Sequence, residues 1–249
     1  MKIEEQIIYS DEDLIAVNKP SGLLSIPDRE GKGNSLKEIL LRTYGEIYTV
    51  HRLDRDTSGI VVFAKNEKMH RHLSLLFEKR ETQKFYHGLV LGVPPVDAGT
   101  INEPIAEHPF KKGLMTVHRK GKESITDYQV ENSFRIFSWM RFQIHTGRTH
   151  QIRVHMKHLG HPIACDASYG EGKPVFISQI KSRYKLSKEE EEERPVLNRL
   201  ALHASELSFM GPGNKPYRFE APLPKDLKAI LQQLSKWIKT GTDQRSMPE

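Results

Sequence analysis

The sequence predicts an α+β protein with a mixed, mainly antiparallel sheet and flanking helices. Short apolar runs of strand type outnumber segments with helical spacing, and most neighbouring runs are separated only by short turns. The chain also shows no internal repeat and no long linker, which points to a single domain over residues 1–239.

Ile7-Ile8-Tyr9 and Leu14-Ile15-Ala16-Val17 read as strands around the turn Ser10-Asp11-Glu12-Asp13. Asn18-Lys19-Pro20-Ser21-Gly22 follows as a loop, and Asn34 is the expected cap of a helix reaching Arg42, with Leu36, Ile39 and Leu40 on one face. Ile60 to Ala64 reads as a buried strand. Asn66 then caps a second helix, on which Met69, Leu73, Leu76 and Phe77 recur at helical spacing. Further strands are expected at Phe85–Leu91, Met115–His118, Ser124–Val130, Trp139–Ile144 and Ala201–Phe209. After Thr149 the spacing of Ile152, Met156 and Leu159 predicts a helix ended by Gly160 and Pro162. That stripe leaves His150, Arg153 and Lys157 on another face. Residues 171–198 read as a polar excursion containing the acidic run Glu189–Glu193. A last helix spans Pro224 to Lys239, and residues 240–249 read as a disordered tail.

Composition narrows the function classes. Hydrophobic content of 37% and charged content of 28% over 249 residues describe a soluble chain, and no apolar run approaches membrane-spanning length. The N-terminus MKIEEQIIYSDED lacks the basic-then-apolar pattern of a secretory signal. One cysteine, Cys165, excludes an internal disulfide framework and fits a reducing cytoplasm. Thirty-eight Lys and Arg against thirty-two Asp and Glu give +6, a weak pointer to a polyanionic partner.

Several chemistries fail on their motifs. There is no Gly-x-Ser-x-Gly elbow. Gly170-Glu171-Gly172-Lys173 falls short of a phosphate loop, because Pro174 replaces the Ser/Thr and Ala167 the first glycine. Asp56-Thr57-Ser58-Gly59 is preceded by charge where an aspartic protease needs an apolar approach. His145, His150, His155, His158 and His161 fall within seventeen residues, but a helix-breaking Gly160 and Pro162 separate the last of them. A metal site competes there with imidazoles that line a basic groove; no metal is expected.

The stretch HRLDRDTSGIVVFAKN, His51 to Asn66, holds five ionisable side chains in its first six positions and then enters a buried strand. A carboxylate at such an entrance needs a cation or several donors. Arg52, Arg55, Arg148 and Arg153 all qualify. At this level an ion-pair lattice that fixes a loop and a catalytic carboxylate, Asp54 or Asp56, remain alternatives.

Three separated stretches then carry a resemblance. His51-Arg52-Leu53-Asp54-Arg55-x-Thr57-Ser58-Gly59 is similar to the signature of the RluA-type pseudouridine synthases. Gln83-Lys84-Phe85-Tyr86 resembles that family's second motif. His145 to Met156, continuing through Gly160-His161-Pro162-Ile163 to Asp166–Gly170, resembles the third. Val17-Asn18-Lys19-Pro20-Ser21-Gly22 matches its N-terminal strand and loop. Two departures stand out: Cys165 occupies a position where the family has Gly, and about a dozen residues precede the first motif, so the family's accessory RNA-binding domain is not expected.

The resemblance implies the pseudouridine synthase fold with a central RNA-binding cleft. It implies an isomerase that breaks the N1–C1′ bond of uridine in rRNA or tRNA stem-loops, turns the base and rejoins it through C5, with no cofactor. Asp54 is then the reacting carboxylate, Tyr86 the aromatic partner of the uracil, and Arg153 the cation beside Asp54, with Arg148 its rival. Base flipping is required, and Arg52 would fill the vacated stack. His51, Arg55, Thr57, Arg148, His150 and Lys157 are the further RNA or substrate contacts. A monomer is the default state. A catalytically silent RNA-binding or ribosome-assembly factor on the same fold is the competing expectation, and a His-ligated metal hydrolase a third.

Overall fold

The computed structural model describes residues 3–28, 34–181, 184–186 and 192–238. In chain order its elements begin with β1 (Ile7–Ser10), β2 (Leu14–Lys19), α1 (Leu36–Tyr44), β3 (Tyr48–Thr49), β4 (Ser58–Ala64), α2 (Glu67–Glu78) and β5 (Gln83–Leu91). There follow β6 (Ala98–Asn102), β7 (Ile105–Glu107), β8 (Met115–Val117), β9 (Ile125–Phe134) and β10 (Phe137–Ile144). The chain ends with α3 (Gln151–His158), α4 (Ile177–Ile180), β11 (Leu202–Met210), β12 (Pro216–Glu220) and α5 (Lys225–Trp237). The expected tail, 240–249, and Glu189–Glu191 of the acidic run lie outside the described residues. At the end of that run, Glu193 accepts the Ser178 N–H at 2.8 Å.

The chain divides into two compact units, each assembled from segments distant in sequence. The first comprises the residues up to Tyr86 with Gln143–Thr149 and Leu202–Leu223; the second comprises His87–Phe142, His150–Ala201 and the residues from Pro224. Because neither unit is one continuous stretch, no linker marks the division in the sequence.

In the first unit, neighbouring strands run β1-β2-β4-β11, with β3 also on β4 and β12 on β11. All of these pairs are antiparallel except β4 with β11. Every residue of β4 is buried, and the period of two sorts its side chains. Ile60, Val62 and Ala64 pack with Leu14, Ala16 and the α2 residues Met69, Leu73 and Leu76. Val61 and Phe63 pack on the other face with Ile15, Val17, Leu36, Leu40 and Leu53. Gly59, at φ +116°, allows β4 to approach β11, since a Cβ there would collide with the backbone of Ala204.

One helix cap needs correction. Ser35, not Asn34, caps α1: its Oγ accepts the Glu38 N–H at 3.3 Å while Glu38 Oε2 accepts the Ser35 N–H at 2.8 Å. This reciprocal capping box fixes the start one residue later than expected. Asn66 does cap α2, accepting the Met69 N–H at 2.8 Å.

The second unit contains β10, β9 and β6 as neighbours and a separate hairpin, β7 with β8. Helix α3 departs from its expected single apolar stripe. Gln151, Arg153 and His155 are buried with Ile152, Val154 and Met156, whereas Leu159 is exposed. Polar side chains enter the core here because each finds a buried partner, a condition that hydrophobic periodicity cannot register.

Candidate active site

Asp54 lies in the first unit on a segment, 51–56, that has no regular secondary structure. Side chains hold this backbone in place. Leu53 plugs the core, and its N–H and C=O both bond Ser25 Oγ, at 3.0 and 2.9 Å. Lys19 is completely buried, and its ammonium donates to the carbonyls of Pro20, Leu23 and Arg55 at 3.0, 2.8 and 2.9 Å. Arg55 Nε returns to Gly22 O at 3.1 Å, and Ser21 Oγ donates to Asp56 O at 2.7 Å. The end of β2, with Lys19, and the loop 20–25 therefore act as a clamp on the Asp54 segment.

His51 closes the other end. Its ring stacks on Phe77 with centroids 4.5 Å apart, and its Nε2 accepts the Val62 N–H at 2.9 Å. An accepting Nε2 requires the neutral ring with its proton on Nδ1. Burial first, then the nearby Lys84 charge, push its pKa down to about 3. His51 thus binds the loop to β4 as a neutral acceptor. Arg52, Arg55 and Asp56 are exposed, Asp54 is half-buried and Thr57 is buried.

The structure brings Tyr86 and Asp54 together within this unit. Tyr86 is half-buried against the Leu53 core face. Its hydroxyl is held far above the usual tyrosine range, by burial first and by the Asp54 charge second. The phenol is therefore protonated at neutral pH. Arg148 is half-buried in the first unit.

Arg153 belongs to the second unit and is 7% exposed. Its guanidinium makes a two-pronged pair with Asp166: Nε to Oδ2 at 2.7 Å and Nη2 to Oδ1 at 2.8 Å. Asp166 Oδ1 also accepts the N–H groups of Ser168 and Tyr169, at 2.9 and 3.1 Å. Burial opposes ionisation of Asp166, but the Arg153 pairing and these N–H bonds prevail and hold its pKa below the ordinary carboxylate value. The Tyr169 ring covers Arg153 at 4.9 Å, and its hydroxyl lies 2.7 Å from His150 Nδ1 and accepts the Met115 N–H at 2.9 Å. His150 itself takes left-handed backbone, φ +56°, at the start of α3. Lys157 is exposed, with its ammonium 5.9 Å from the Tyr169 ring centre.

Residue-by-residue reading passed over Asp166 and Tyr169 as supports of Arg153; their place inside the third motif was the available signal. Three of the clustered histidines, His150, His155 and His161, are committed to protein groups. His155 Nδ1 lies 2.9 Å from Thr126 Oγ1 and its Nε2 3.0 Å from Glu103 O, while His161 Nδ1 lies 2.9 Å from Leu91 O. Among the described residues, no three His, Cys, Asp or Glu side chains are grouped to hold a metal ion.

A model of the RNA pseudouridylate synthase family matches residues 13–158, more than half of the chain and all of the loops just described up to α3. The chain belongs to that family. It is an RNA pseudouridine synthase, an isomerase. The ribosomal large subunit pseudouridine synthase D of Buchnera aphidicola subsp. Schizaphis graminum is 36% identical over 238 residues, covering 92% of this synthase and 73% of the relative. The synthase D of Escherichia coli K12 is 34% identical over 241 residues, covering 91% and 69%. Among solved structures, human RNA pseudouridylate synthase domain containing 4 superposes with a TM-score of 0.71 at 25% identity, covering 94% of each chain. The α+β class with a mainly antiparallel sheet, expected from the sequence, is the fold of this neighbour as well.

Proposed function

We propose that the synthase isomerises uridine in large-subunit ribosomal RNA, with Asp54 as the reacting carboxylate and residues 1–239 acting as one catalytic domain. The observation that carries the chemistry is that the Asp54 charge stands close enough to act on the half-buried Tyr86 phenol. The naming of relatives that align over about nine-tenths of the chain favours ribosomal over transfer RNA.

Attack on the substrate and removal of a sugar proton both consume the Asp54 negative charge. Either step removes the smaller of the two causes that raise the Tyr86 pKa; burial, the larger, remains, so the phenol stays protonated while it stacks on the uracil. Arg148, in the same unit as Asp54, is the cation assigned to accompany it, while Arg153 is oriented by Asp166 for the other expected contacts. Arg52, exposed beside Asp54, is assigned to fill the stack when the uridine flips out. Thr57, Arg55, His150 and Lys157 complete the RNA contacts. No cofactor enters this scheme. Among the described residues no helix is long and apolar enough to cross a membrane; a monomer in the cytoplasm completes the proposal.

The test is tritium release from 5-labelled uridine in ribosomal RNA of a strain lacking the gene, followed by mapping of the modified positions. Release at defined large-subunit sites supports the reading. Binding without release would instead favour a silent assembly factor, and release only from transfer RNA would move the substrate.

A further inference from the structure

Lys84 stands two residues before Tyr86 on β5, and only 9% of it is exposed. Lysine is rarely buried to this degree without a counter-charge. Lys19 shows how this molecule handles such a group, with carbonyl oxygens around the ammonium. Lys84 differs. Its Nζ lies over the face of Phe77, 5.8 Å from the ring centre, and among the described residues no carboxylate or carbonyl oxygen accepts from it. A cation–π contact offsets roughly 0.5–2 kcal/mol, less than the several kcal/mol that burial of an ion costs.

The titratable groups acting on it add no negative charge. Arg80 approaches from the turn after α2, where it adopts left-handed backbone at φ +63°. His51, from the Asp54 segment, is neutral because its Nε2 accepts from Val62. Burial first, then Arg80, bring the Lys84 amine down to about 8. A buried ammonium between another cation and a neutral ring is a half-built anion site. It sits on the strand that presents Tyr86 and beside the histidine that anchors the Asp54 segment.

We propose that Lys84 receives a phosphodiester of the RNA backbone close to the target uridine, a positioning role that rests on the RNA synthase reading. The bound phosphate supplies the missing counter-charge, so docking of the backbone and full protonation of Lys84 are linked. An exposed surface lysine, already charged throughout this range, would show no such linkage.

The experiment measures the Kd of unmodified large-subunit rRNA transcript between pH 7 and 9, at several salt concentrations, for wild type, Lys84→Arg and Lys84→Gln. With an amine at about 8, the charged fraction falls about tenfold over that interval, and wild-type affinity is expected to fall with it. Lys84→Arg stays charged and should lose this pH dependence. Lys84→Gln should bind about tenfold more weakly at pH 7, with a salt slope smaller by about one ion. Wild-type affinity and slope in Lys84→Gln would overturn the site, and so would a wild-type pH profile persisting in Lys84→Arg. If Lys84→Gln does not fold, the Lys84→Arg profile alone decides. Tritium release by wild type is scored separately: its absence defeats the synthase reading, whereas release with unchanged Lys84 variants defeats only the phosphate site.

Discussion

The two units position their key side chains in opposite ways. Asp54, in the first, sits on irregular backbone, and its geometry comes from side chains that reach into the loop: Ser25, Lys19, Arg55 and His51. Arg153, in the second, sits on helix α3, where the backbone is already fixed and one buried carboxylate, Asp166, sets the direction of the guanidinium. The loop places a half-buried acid at a strand entrance. The helix carries a nearly buried cation whose cost is met by a partner on the following turn-rich segment. The first arrangement spreads its support over many weak bonds, and the second concentrates it in one strong pair.

Substitutions should expose this contrast. Asp54→Asn should lower tritium release about 10³-fold or more, within the range for loss of an acid–base or nucleophilic group, with little change in urea midpoint. Comparable loss of stability would recast Asp54 as part of the clamp. Asp166→Asn should cost about 3–5 kcal/mol in urea unfolding, because it leaves the buried Arg153 without its counter-charge. It should also lower activity in the folded fraction. Ser25→Ala should be milder, about 1–3 kcal/mol, since it orphans the Leu53 N–H and C=O. Its kcat should fall more than its KM rises, because the loop it loosens carries the proposed reacting group. If Ser25→Ala proved as costly as Asp166→Asn, the division into spread and concentrated support would fail.

Much of the first unit was legible because its core obeys simple periods. The continuous apolar runs Leu14–Val17 and Ile60–Ala64, and the Met69, Leu73, Leu76 spacing, each mark residues that are buried as read. Motif order supplied Asp54 and Tyr86. The supports were less visible. Lys19 looks like a loop residue until three carbonyls converge on it. Strands β6 and β7 carry Ala98, Gly99 and Asn102 and a Glu103-Pro104 junction, which obscure any alternation. Helix α3 misled the stripe argument because Arg153 and His155 are buried by partners more than ten residues away in sequence. Cys165 is explained only by the backbone: it stands at φ +59°, where glycine is the ordinary choice.

The smallest effect concerns pH, and it bears on the imidazoles that each unit requires to stay neutral. His51 accepts from Val62, and its folded pKa of about 3 lies below its unfolded value near 6.5. His155, hydrogen-bonded to Thr126 and Glu103 in the second unit, is also lowered, by burial first. For such groups the unfolded chain binds more protons. The stability they provide is complete above about pH 6.5 and is lost as pH falls from there towards the folded values. Asp166 follows the same direction from a lower start, because its ionised form loses ground only below the unfolded carboxylate value near 3.9. Melting temperature should therefore decline in two stages, first between about pH 6.5 and 4.5, then more steeply below 4. Glutamine places an acceptor oxygen where Nε2 stands but does not titrate, so His51→Gln should flatten part of the first stage and leave the second unchanged. A first stage identical to wild type in His51→Gln would mean that the neutral imidazole does not anchor the Asp54 segment. The spread support of that loop would then rest on Lys19, Ser25, Ser21 and Arg55.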